Sequence, residues 1–285
     1  MPNLISHFST LAPGYDVVLS DVWGVVHNGV TATPPACEAL KRAREAGATV
    51  VLITNAPRPF DEVARQIERF HVPRDTYDAI VSSGDVTRHE VAARPGQTLF
   101  HMGPERDHSI FDGLNVTFAP LESADYMVCS GLDDDEVDTP DAYRPRLELM
   151  LKRKLFMLCG NPDVVVERGD RLVYCAGSIA DMYAAMGGDV LYAGKPYAPI
   201  YDMALAKAES LRAKKTSLKR VLAIGDSMRT DLAGARGYGI DFLFVTAGIH
   251  AEELGARDAP DSAALRAKLQ ASGGLPKAAM RQLVW

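Results

Sequence analysis

An apolar run that ends in an acid constrains this chain more than any other stretch. Residues 17–29 read VVLSDVWGVVHNG, so three apolar residues are followed closely by Asp21 and then by Gly24. Such a run is typical of a strand buried on both faces of a parallel sheet. An acid at the carboxyl end of that strand lies where open α/β sheets bind ligands, and it can act as a metal ligand or a nucleophile. A single acid there is more often a turn residue or a helix cap, so the hypothesis depends on the other strands.

Strands and helices alternate in the first part of the chain. A helix is predicted after Thr33, which we expect to cap it, with two prolines in its first turn and Gly47 at its end. A second apolar strand covers 48–53, and a helix with apolar residues at helical spacing covers 60–70. Successive strand–helix units predict a right-handed, doubly wound parallel α/β sheet of the Rossmann-like type.

The same rhythm returns near the end of the chain. Short strands are predicted at 190–193, 221–224 and 241–245, and we assign all three to the same sheet as the first strands. The tail from Ala251 onward is predicted to be helical and peripheral.

The middle third has its own strand and helix pattern. Strand-like runs at 98–102, 126–129 and 155–159 surround a helical pattern at 141–152. This pattern indicates a second, smaller α/β domain inserted into the first. We therefore assign 1–83 and 189–285 to a discontinuous core and 84–188 to the insertion.

Composition narrows the class of protein. The chain has 285 residues, 47% of them hydrophobic, and a formal net charge of −6 with no basic cluster, which argues against nucleic-acid binding. The four cysteines form no CxxC pair, so we expect buried free thiols in a reducing compartment. We find no signal peptide and no apolar run long enough to span a membrane, so a cytoplasmic protein without a membrane partner is expected.

Polar residues follow four of the predicted strands. These residues are Asp21, the pair Thr54–Asn55, Lys195 and Asp226. If the strands are parallel, their carboxyl ends converge on one edge of a sheet. The two carboxylates suit Mg²⁺, and the other three residues would donate hydrogen bonds or charge to anionic oxygens. Each element also has an ordinary turn interpretation, and the case depends on their joint occurrence.

Two further residues follow the second of these acids. Ser227 comes directly after Asp226, and Asp231 lies near the predicted start of the next helix. Asp231 can be a first-turn acid favoured by the helix dipole, or it can orient Lys195 or metal-bound water. The Gly-Lys-Pro sequence is not a P-loop, because Walker A requires Ser or Thr after the lysine.

Four segments resemble the motifs of a known enzyme superfamily. DVWGVVHNG, LITNA, AGKP and AIGDSMRTD are similar to the four motifs of the haloacid dehalogenase superfamily, whose members are mostly aspartate-nucleophile phosphatases. The inserted segment resembles the α/β cap of class IIA, which includes nitrophenyl-phosphatases, sugar-phosphate phosphatases and pyridoxal-phosphate phosphatases. Asn161-Pro162-Asp163 resembles a signature of that cap.

The resemblance implies a role for each motif residue. Asp21 would attack phosphorus and become an aspartyl-phosphate, while Thr54, Asn55 and Lys195 would hold the phosphoryl oxygens. Lys195 would also lower the repulsion between Asp21 and the incoming anion. The implied cofactor is Mg²⁺, and the chemistry it supplies is charge neutralisation on the transferring group. Its ligands would be Asp21, Asp226 and the main-chain carbonyl of residue 23, with Asp231 and Ser227 supporting them.

Trp23 is the departure from the phosphatase pattern. That pattern has an aspartate here, which acts as general acid and base, and tryptophan cannot transfer a proton in this way. Losing general acid–base catalysis costs about 10²–10⁴ in rate. His27 could substitute for it, although a loop histidine with only a local hydrogen bond is the more common arrangement.

Three functions follow from these residues. The first is a Mg²⁺-dependent hydrolase of small phosphorylated metabolites, slowed by Trp23. The second is a non-catalytic protein that binds a phosphorylated ligand on a degenerate phosphatase fold. The third is a metal-independent dehalogenase, since that branch has an aromatic residue at this position, but it has no need of an acid at Asp226. The sequence does not identify the substrate, and it leaves a homodimer open.

Overall fold

The computed structural model describes residues 3–168, 171–255 and 261–285. It divides into two compact units, each with a sheet of its own. The core unit comprises Met1–Thr54, Ala64–Val81 and Pro196–Trp285, and the cap unit comprises Asn55–Val63 and Ser82–Lys195. The cap unit takes in the 84–188 segment that was predicted as an insertion, together with residues on both sides of it.

Strands and helices alternate along most of the chain. The strands of the described residues are β1 (Val17–Asp21), β2 (Thr49–Thr54), β3 (Ala79–Ser82), β4 (Thr98–Met102), β5 (Thr117–Phe118), β6 (Tyr126–Cys129), β7 (Phe156–Cys159), β8 (Val165–Arg168), β9 (Arg171–Tyr174), β10 (Val190–Tyr192), β11 (Val221–Gly225), β12 (Asp241–Val245) and β13 (Ala278–Met280). The α-helices are α1 (Pro34–Glu45), α2 (Phe60–Arg69), α3 (Ser83–Ala92), α4 (Arg144–Arg153), α5 (Ala176–Ala185), α6 (Ala198–Arg212), α7 (Ala233–Tyr238) and α8 (Ser262–Ala271). Among the described residues, we find no helix with the length and apolar character that a membrane span requires.

The core unit contains a doubly wound parallel sheet. Six strands of its described residues lie in the order β13-β12-β11-β1-β2-β3. β1 pairs in parallel with β2 and β11, and β12 pairs in parallel with β11 and β13. β1, β2 and β11 are buried along their whole lengths, and α1 and α6 pack against β2. The predicted α/β class and the strands covered on both faces are confirmed.

Helix α1 begins at its two prolines, but Thr33 does not cap it with its side chain. Proline fits the first turn because it needs no hydrogen-bonded N–H there. The main-chain carbonyl of Thr33 accepts from the N–H of Ala36 at 3.0 Å. Because Pro35 has no N–H, one of the two usual donors to a capping side chain is missing. The predictions of the helix and of Thr33 as its N-cap residue were correct, and only the expected capping bond of the Thr33 side chain is not formed.

The cap unit contains a second parallel sheet. Its described strands β10, β7, β6, β4 and β5 are hydrogen-bonded in that order, and β8 and β9 form a separate antiparallel hairpin. β10 pairs in parallel with β7, so that Val190 lies opposite Met157. The sequence analysis assigned β10 to the core sheet, and this register shows that assignment to be wrong. A short apolar strand carries no local signal of the sheet it will join.

The end of the chain also differs from the prediction. Residues of the tail form α8, as expected, but β13 follows it and pairs with β12 at the edge of the core sheet. All three residues of β13 are buried. The tail is therefore not entirely peripheral. Its strand reads AAM, a segment too short and too poor in β-branched residues to be recognised by pattern.

All four cysteines are buried and free, as predicted. Cys129 and Cys159 lie opposite each other on β6 and β7. Burial raises the pKa of both thiols, to about 12 for Cys129. Their thiols are therefore packing groups rather than nucleophiles.

Candidate active site

Three carboxylates meet at the carboxyl ends of β1 and β11. Ser20 lies opposite Ile224, so Asp21 at the end of β1 and Asp226 just after β11 are on neighbouring strands. These two strands flank the point where the strand order of the sheet reverses, which is where such sheets bind ligands. Asp231 joins them: one carboxylate oxygen of each residue lies within 4.8 Å of the others, and all three side chains are buried.

Glycines make room for the Asp226 carboxylate. Gly24 has a φ of +82°, and a Cβ there would lie 2.0 Å from Asp226 Oδ2. A Cβ on Gly248 would lie 1.9 Å from the same oxygen. The N–H of Ile249 donates to Oδ2 at 2.8 Å. The main chain therefore approaches this carboxylate on two sides, and any side chain at 24 or 248 would displace it.

A single π-helical turn, Met228–Leu232, carries the third carboxylate. Ser227 begins the turn, and its hydroxyl accepts from the N–H of Thr230 at 3.3 Å. The carboxylate of Asp231 in turn accepts from the N–H of Ser227 at 3.1 Å. A Cβ on Gly225 would lie 2.2 Å from Asp231 Cγ, so this side chain also packs against main chain. The reciprocal bonds fix Asp231 against the end of β11.

The donor set of this cluster fits a hard divalent cation. Three buried carboxylates within 4.8 Å of one another repel each other strongly in a medium of low dielectric constant. A cation among them relieves that repulsion, and oxygen-only ligands are those preferred by Mg²⁺ and Ca²⁺. The cluster contains two acids that the sequence analysis assigned to metal binding and one that it assigned to a supporting position.

Thr54 ends the neighbouring strand of the same sheet. Asp21 lies opposite Ile53, so Thr54 is one residue further toward the carboxyl end of β2. Its side chain is buried. The sheet thus positions a hydroxyl beside the strand that carries Asp21.

The loop after β1 is held by aromatic packing. Trp23 lies over Gly29, where φ is +87° and a Cβ would lie 2.6 Å from the indole ring. Its ring meets the ring of His27 edge to face, with centroids 5.3 Å apart, and His27 meets Phe70 at 4.9 Å. The Gly24 N–H donates to the carbonyl of His27 at 2.8 Å and closes the loop. Trp23 remains 37% exposed.

His27 is a buried, neutral part of this packing. Its Nδ1 accepts from the N–H of Gly29 at 2.9 Å, so that nitrogen carries no proton. Burial lowers the pKa of His27 to about 4. Of the two roles considered for this residue, the structure supports the local hydrogen bond rather than proton transfer.

In the cap unit, the side-chain amide of Asn55 holds the loop that contains Lys195. Asn55 Oδ1 accepts from the Lys195 N–H at 2.7 Å, and Nδ2 donates to the Lys195 carbonyl at 3.0 Å. Nδ2 also donates to Asp163 Oδ1 at 3.0 Å. A Cβ on Gly194 would lie 2.4 Å from Asn55 Oδ1, so the glycine permits this approach.

This arrangement gives the Asn55 side chain partners within the protein. An amide nitrogen has two hydrogens to donate, and both are donated within the protein, to Lys195 and Asp163. The side chain cannot donate to phosphoryl oxygens without giving up one of these bonds. Asp163 belongs to the Asn161-Pro162-Asp163 segment that resembles the cap signature.

The sequence-predicted site residues belong to two units. Asp21, Trp23, Thr54, Asp226, Ser227 and Asp231 belong to the core unit, and Asn55 and Lys195 belong to the cap unit. Within the core unit the three acids come together. Within the cap unit Asn55 and the main chain of Lys195 come together, and Lys195 is 3% exposed.

The carboxylate cluster predicts that Mg²⁺ changes which protein is the more stable, the wild type or Asp226→Asn. In EDTA, Asp226→Asn is expected to be at least as stable as the wild type, because it removes one of three repelling charges. With Mg²⁺ at about 100 times its dissociation constant, the wild type should gain about 2.7 kcal/mol and the variant much less. Thermal unfolding with and without Mg²⁺ measures both. An exposed acid gives the matched control, Asp141→Asn, which should respond to Mg²⁺ like the wild type. Equal Mg²⁺ shifts in wild type and Asp226→Asn would contradict the assignment.

Burial of His27 predicts a loss of stability in mild acid. The folded pKa, about 4, is below the usual value of 6.5, so the unfolded chain binds the proton more readily. The stability from keeping this ring neutral is complete above about pH 6.5 and falls as the pH drops toward 4. Between pH 8 and pH 5 the contribution of His27 is about 2 kcal/mol. Urea unfolding at both pH values should show a smaller decrease for His27→Gln than for the wild type, and equal decreases would refute the interpretation.

The hydrogen bonds of Asn55 predict that removing its side-chain amide lowers the stability of the protein. Asn55→Ala leaves the buried N–H of Lys195 without its acceptor and should lower the free energy of unfolding by about 1–3 kcal/mol. Asn28→Ala is the control, since Asn28 Oδ1 also accepts from two main-chain N–H groups but in an exposed loop. Its loss should be smaller, and urea unfolding compares the two. Similar losses of unfolding free energy in both variants would show that the buried Asn55 bonds stabilise the fold no more than the exposed Asn28 bonds do.

Comparison with known proteins identifies the family. Residues 18–117 match the family model described as haloacid dehalogenase-like hydrolase, and residues 192–270 match a second model described as HAD-hydrolase-like. A haloacid dehalogenase-like hydrolase from Brucella suis is 43% identical in sequence, with a TM-score of 0.86 over 99% of this chain and 100% of that one.

Two other relatives have phosphatase names. D-glycerol 3-phosphate phosphatase from Mycobacterium tuberculosis is 25% identical over 247 residues, which cover 85% of this chain but only 65% of that protein. The fold is shared with 4-nitrophenylphosphatase from Thermotoga maritima, at 21% identity and a TM-score of 0.71 over 95% of this chain and 96% of that one. The resemblance seen in the four motifs is confirmed. This chain belongs to the haloacid dehalogenase-like hydrolase family.

Proposed function

We propose that this chain is a Mg²⁺-dependent phosphatase of small phosphorylated metabolites that works through an aspartyl-phosphate on Asp21. The observation that carries the proposal is the cluster of three buried carboxylates at the carboxyl ends of β1 and β11. The phosphatase names of two relatives support the same reaction class. The match to D-glycerol 3-phosphate phosphatase supports a small phosphorylated metabolite as the substrate.

Asp21 is the proposed nucleophile. It is the last residue of a fully buried strand, so its position is fixed by the sheet rather than by a flexible loop. A carboxylate oxygen attacks phosphorus and forms a covalent phosphoryl-enzyme. Water then attacks that phosphorus and restores the carboxylate.

The proposed phosphate ligands are Thr54 and Lys195, with Asn55 in a positioning role. The Thr54 hydroxyl ends the strand beside β1 and would donate to a phosphoryl oxygen. The Lys195 ammonium would lower the repulsion between a dianionic phosphoryl group and Asp21. Asn55 holds the Lys195 main chain at both its N–H and its carbonyl.

The proposed metal ligands are Asp21, Asp226 and the main-chain carbonyl of Trp23. Asp231 would either complete the set or orient Lys195 or water on the metal, and the Ser227 N–H donates to its carboxylate. A bound Mg²⁺ supplies charge neutralisation on the transferring phosphoryl group. Gly24 and Gly248 let the main chain close around Asp226, which keeps this acid in place.

Trp23 should make the enzyme slow compared with phosphatases that have an aspartate at this position. Loss of general acid–base catalysis costs about 10²–10⁴ in rate. This cost also supports the alternative of a non-catalytic protein that binds a phosphorylated ligand. Metal-independent dehalogenation is disfavoured, because that reaction has no use for a cluster of three buried carboxylates.

The proposal predicts that Asp21→Asn abolishes turnover. Mg²⁺-dependent phosphate release from 4-nitrophenyl phosphate and from a panel of phosphate monoesters is measured for wild type and variant. We expect activity in the wild type that EDTA removes, and none in Asp21→Asn at any Mg²⁺ concentration, because the variant has no nucleophile.

A matched acid serves as the control for this experiment. Asp141→Asn changes the same functional group at an exposed position and should keep wild-type activity. Tight Mg²⁺-dependent binding of a phosphate ester without turnover in the wild type would favour the binding protein instead. Turnover that survives Asp21→Asn would refute the aspartyl-phosphate route.

A further inference from the structure

We propose that the substrates of this enzyme are phosphoric anhydrides and aryl or enol phosphates, whose leaving oxygen departs as a stable anion. The inference rests on the proposed function, and it narrows the substrate class. The observation behind it is that the loop that continues from the nucleophile has no group able to give a proton to a leaving oxygen. Simple alkyl phosphates need such a proton and should be poor substrates.

The loop in question covers residues 22–29, which the structure describes in full. Its sequence VWGVVHNG contains one titratable side chain, His27. The Nδ1 atom of His27 accepts from the Gly29 N–H, and the ring is 3% exposed between Trp23 and Phe70. The imidazole is thus packed inside the loop, with its Nδ1 already bonded to the loop's main chain.

Trp23, two residues after the nucleophile, has a side chain that keeps its proton. An indole N–H can donate a hydrogen bond, but it does not ionise in the pH range of proteins. The ring lies on Gly29, where a Cβ would approach it to 2.6 Å, and meets His27 edge to face. The indole is therefore a packing element of this loop, and its replacement would change the contacts of Gly29 and His27.

The exposed part of Trp23 also suits a planar leaving group. The side chain is 37% exposed although its ring packs on one side against Gly29. A partly exposed indole offers an aromatic surface for stacking against a planar group. Aryl phosphates and anhydrides of aromatic carboxylic acids combine a planar leaving group with a stable leaving anion.

The first chemical step balances without a proton. A carboxylate oxygen of Asp21 forms a bond to phosphorus, and the bond from phosphorus to the leaving oxygen breaks. The electron pair of the broken bond stays on that oxygen, which departs as a phenolate, enolate, carboxylate or phosphate anion. An alkoxide is too basic to depart in the same way, so alkyl phosphates stop at this step.

The second step is slow for the same reason. Water attacks phosphorus, and the bond to the Asp21 oxygen breaks with its electron pair. One proton of the water passes to solvent, and the other stays on the released hydrogen phosphate. No side chain of the 22–29 loop accepts that proton. The phosphoryl-enzyme should therefore accumulate when the donor is reactive, which gives a second observable independent of the steady-state rate.

The test varies the leaving group in the wild type. The series runs from acetyl phosphate and 4-nitrophenyl phosphate through phenyl phosphate, whose phenol has a pKa of about 10, to glycerol 3-phosphate. We expect kcat/KM to fall steeply as the leaving group becomes more basic. With acetyl phosphate, rapid acid quench and mass spectrometry should show phosphate on the peptide that contains Asp21.

Two variants of Trp23 separate proton transfer from shape. Trp23→Asp should gain about 10²–10⁴-fold on glycerol 3-phosphate, gain little on acetyl phosphate, and accumulate less phosphoryl-enzyme. Asparagine is nearly the same size as aspartate but has no proton to transfer. Trp23→Asn should therefore keep the steep dependence of kcat/KM on leaving-group basicity that the wild type shows. Thermal unfolding establishes that both variants are folded.

The outcomes distinguish this inference from the proposed function. If the wild type turns over the whole series with little dependence on the leaving group, another residue supplies the proton and the inference is wrong, although the phosphatase stands. Equal gains in Trp23→Asp and Trp23→Asn would also overturn it. If no member of the series reacts and Asp21 is never phosphorylated, the proposed function itself fails.

Discussion

Mutual repulsion among three buried carboxylates is the interaction on which the candidate site depends. Asp21 and Asp226 are brought together because β1 and β11 are neighbours in a parallel sheet, and Asp231 is added by the helical turn that follows. Such a cluster is costly unless a cation shares it. The glycines at 24 and 248 show that the surrounding main chain is fitted closely to this arrangement, since a Cβ at either position would collide with Asp226.

One short loop serves two purposes in this molecule. Gly24 lets the loop close over Asp226, and Trp23 with His27 packs the loop against Gly29 and Phe70. This packing stabilises the loop through aromatic contacts. It also places an indole at position 23, where an acidic side chain could have transferred a proton. The stability of the loop and the proposed restriction of the leaving group therefore have the same physical origin.

The cap unit shows how a residue of the predicted phosphate site takes on a structural task. The sequence analysis expected Asn55 to donate to an anion, because polar residues follow four strands that converge on one edge of a sheet. The structure gives both of its donors to Lys195 and Asp163. That use of the amide could not be predicted locally, since Asp163 is 108 residues away along the chain.

By itself, the sequence determined the parallel α/β class, the positions of the main strands and the acids that end two of them. It could do so because buried strands, turn residues and helix periods are local patterns. Tertiary structure alone decided that β10 joins the cap sheet, that β13 extends the core sheet and that Asp231 completes the carboxylate cluster. Each of these depends on which distant segments pair and pack, and a local pattern carries no information about the partner.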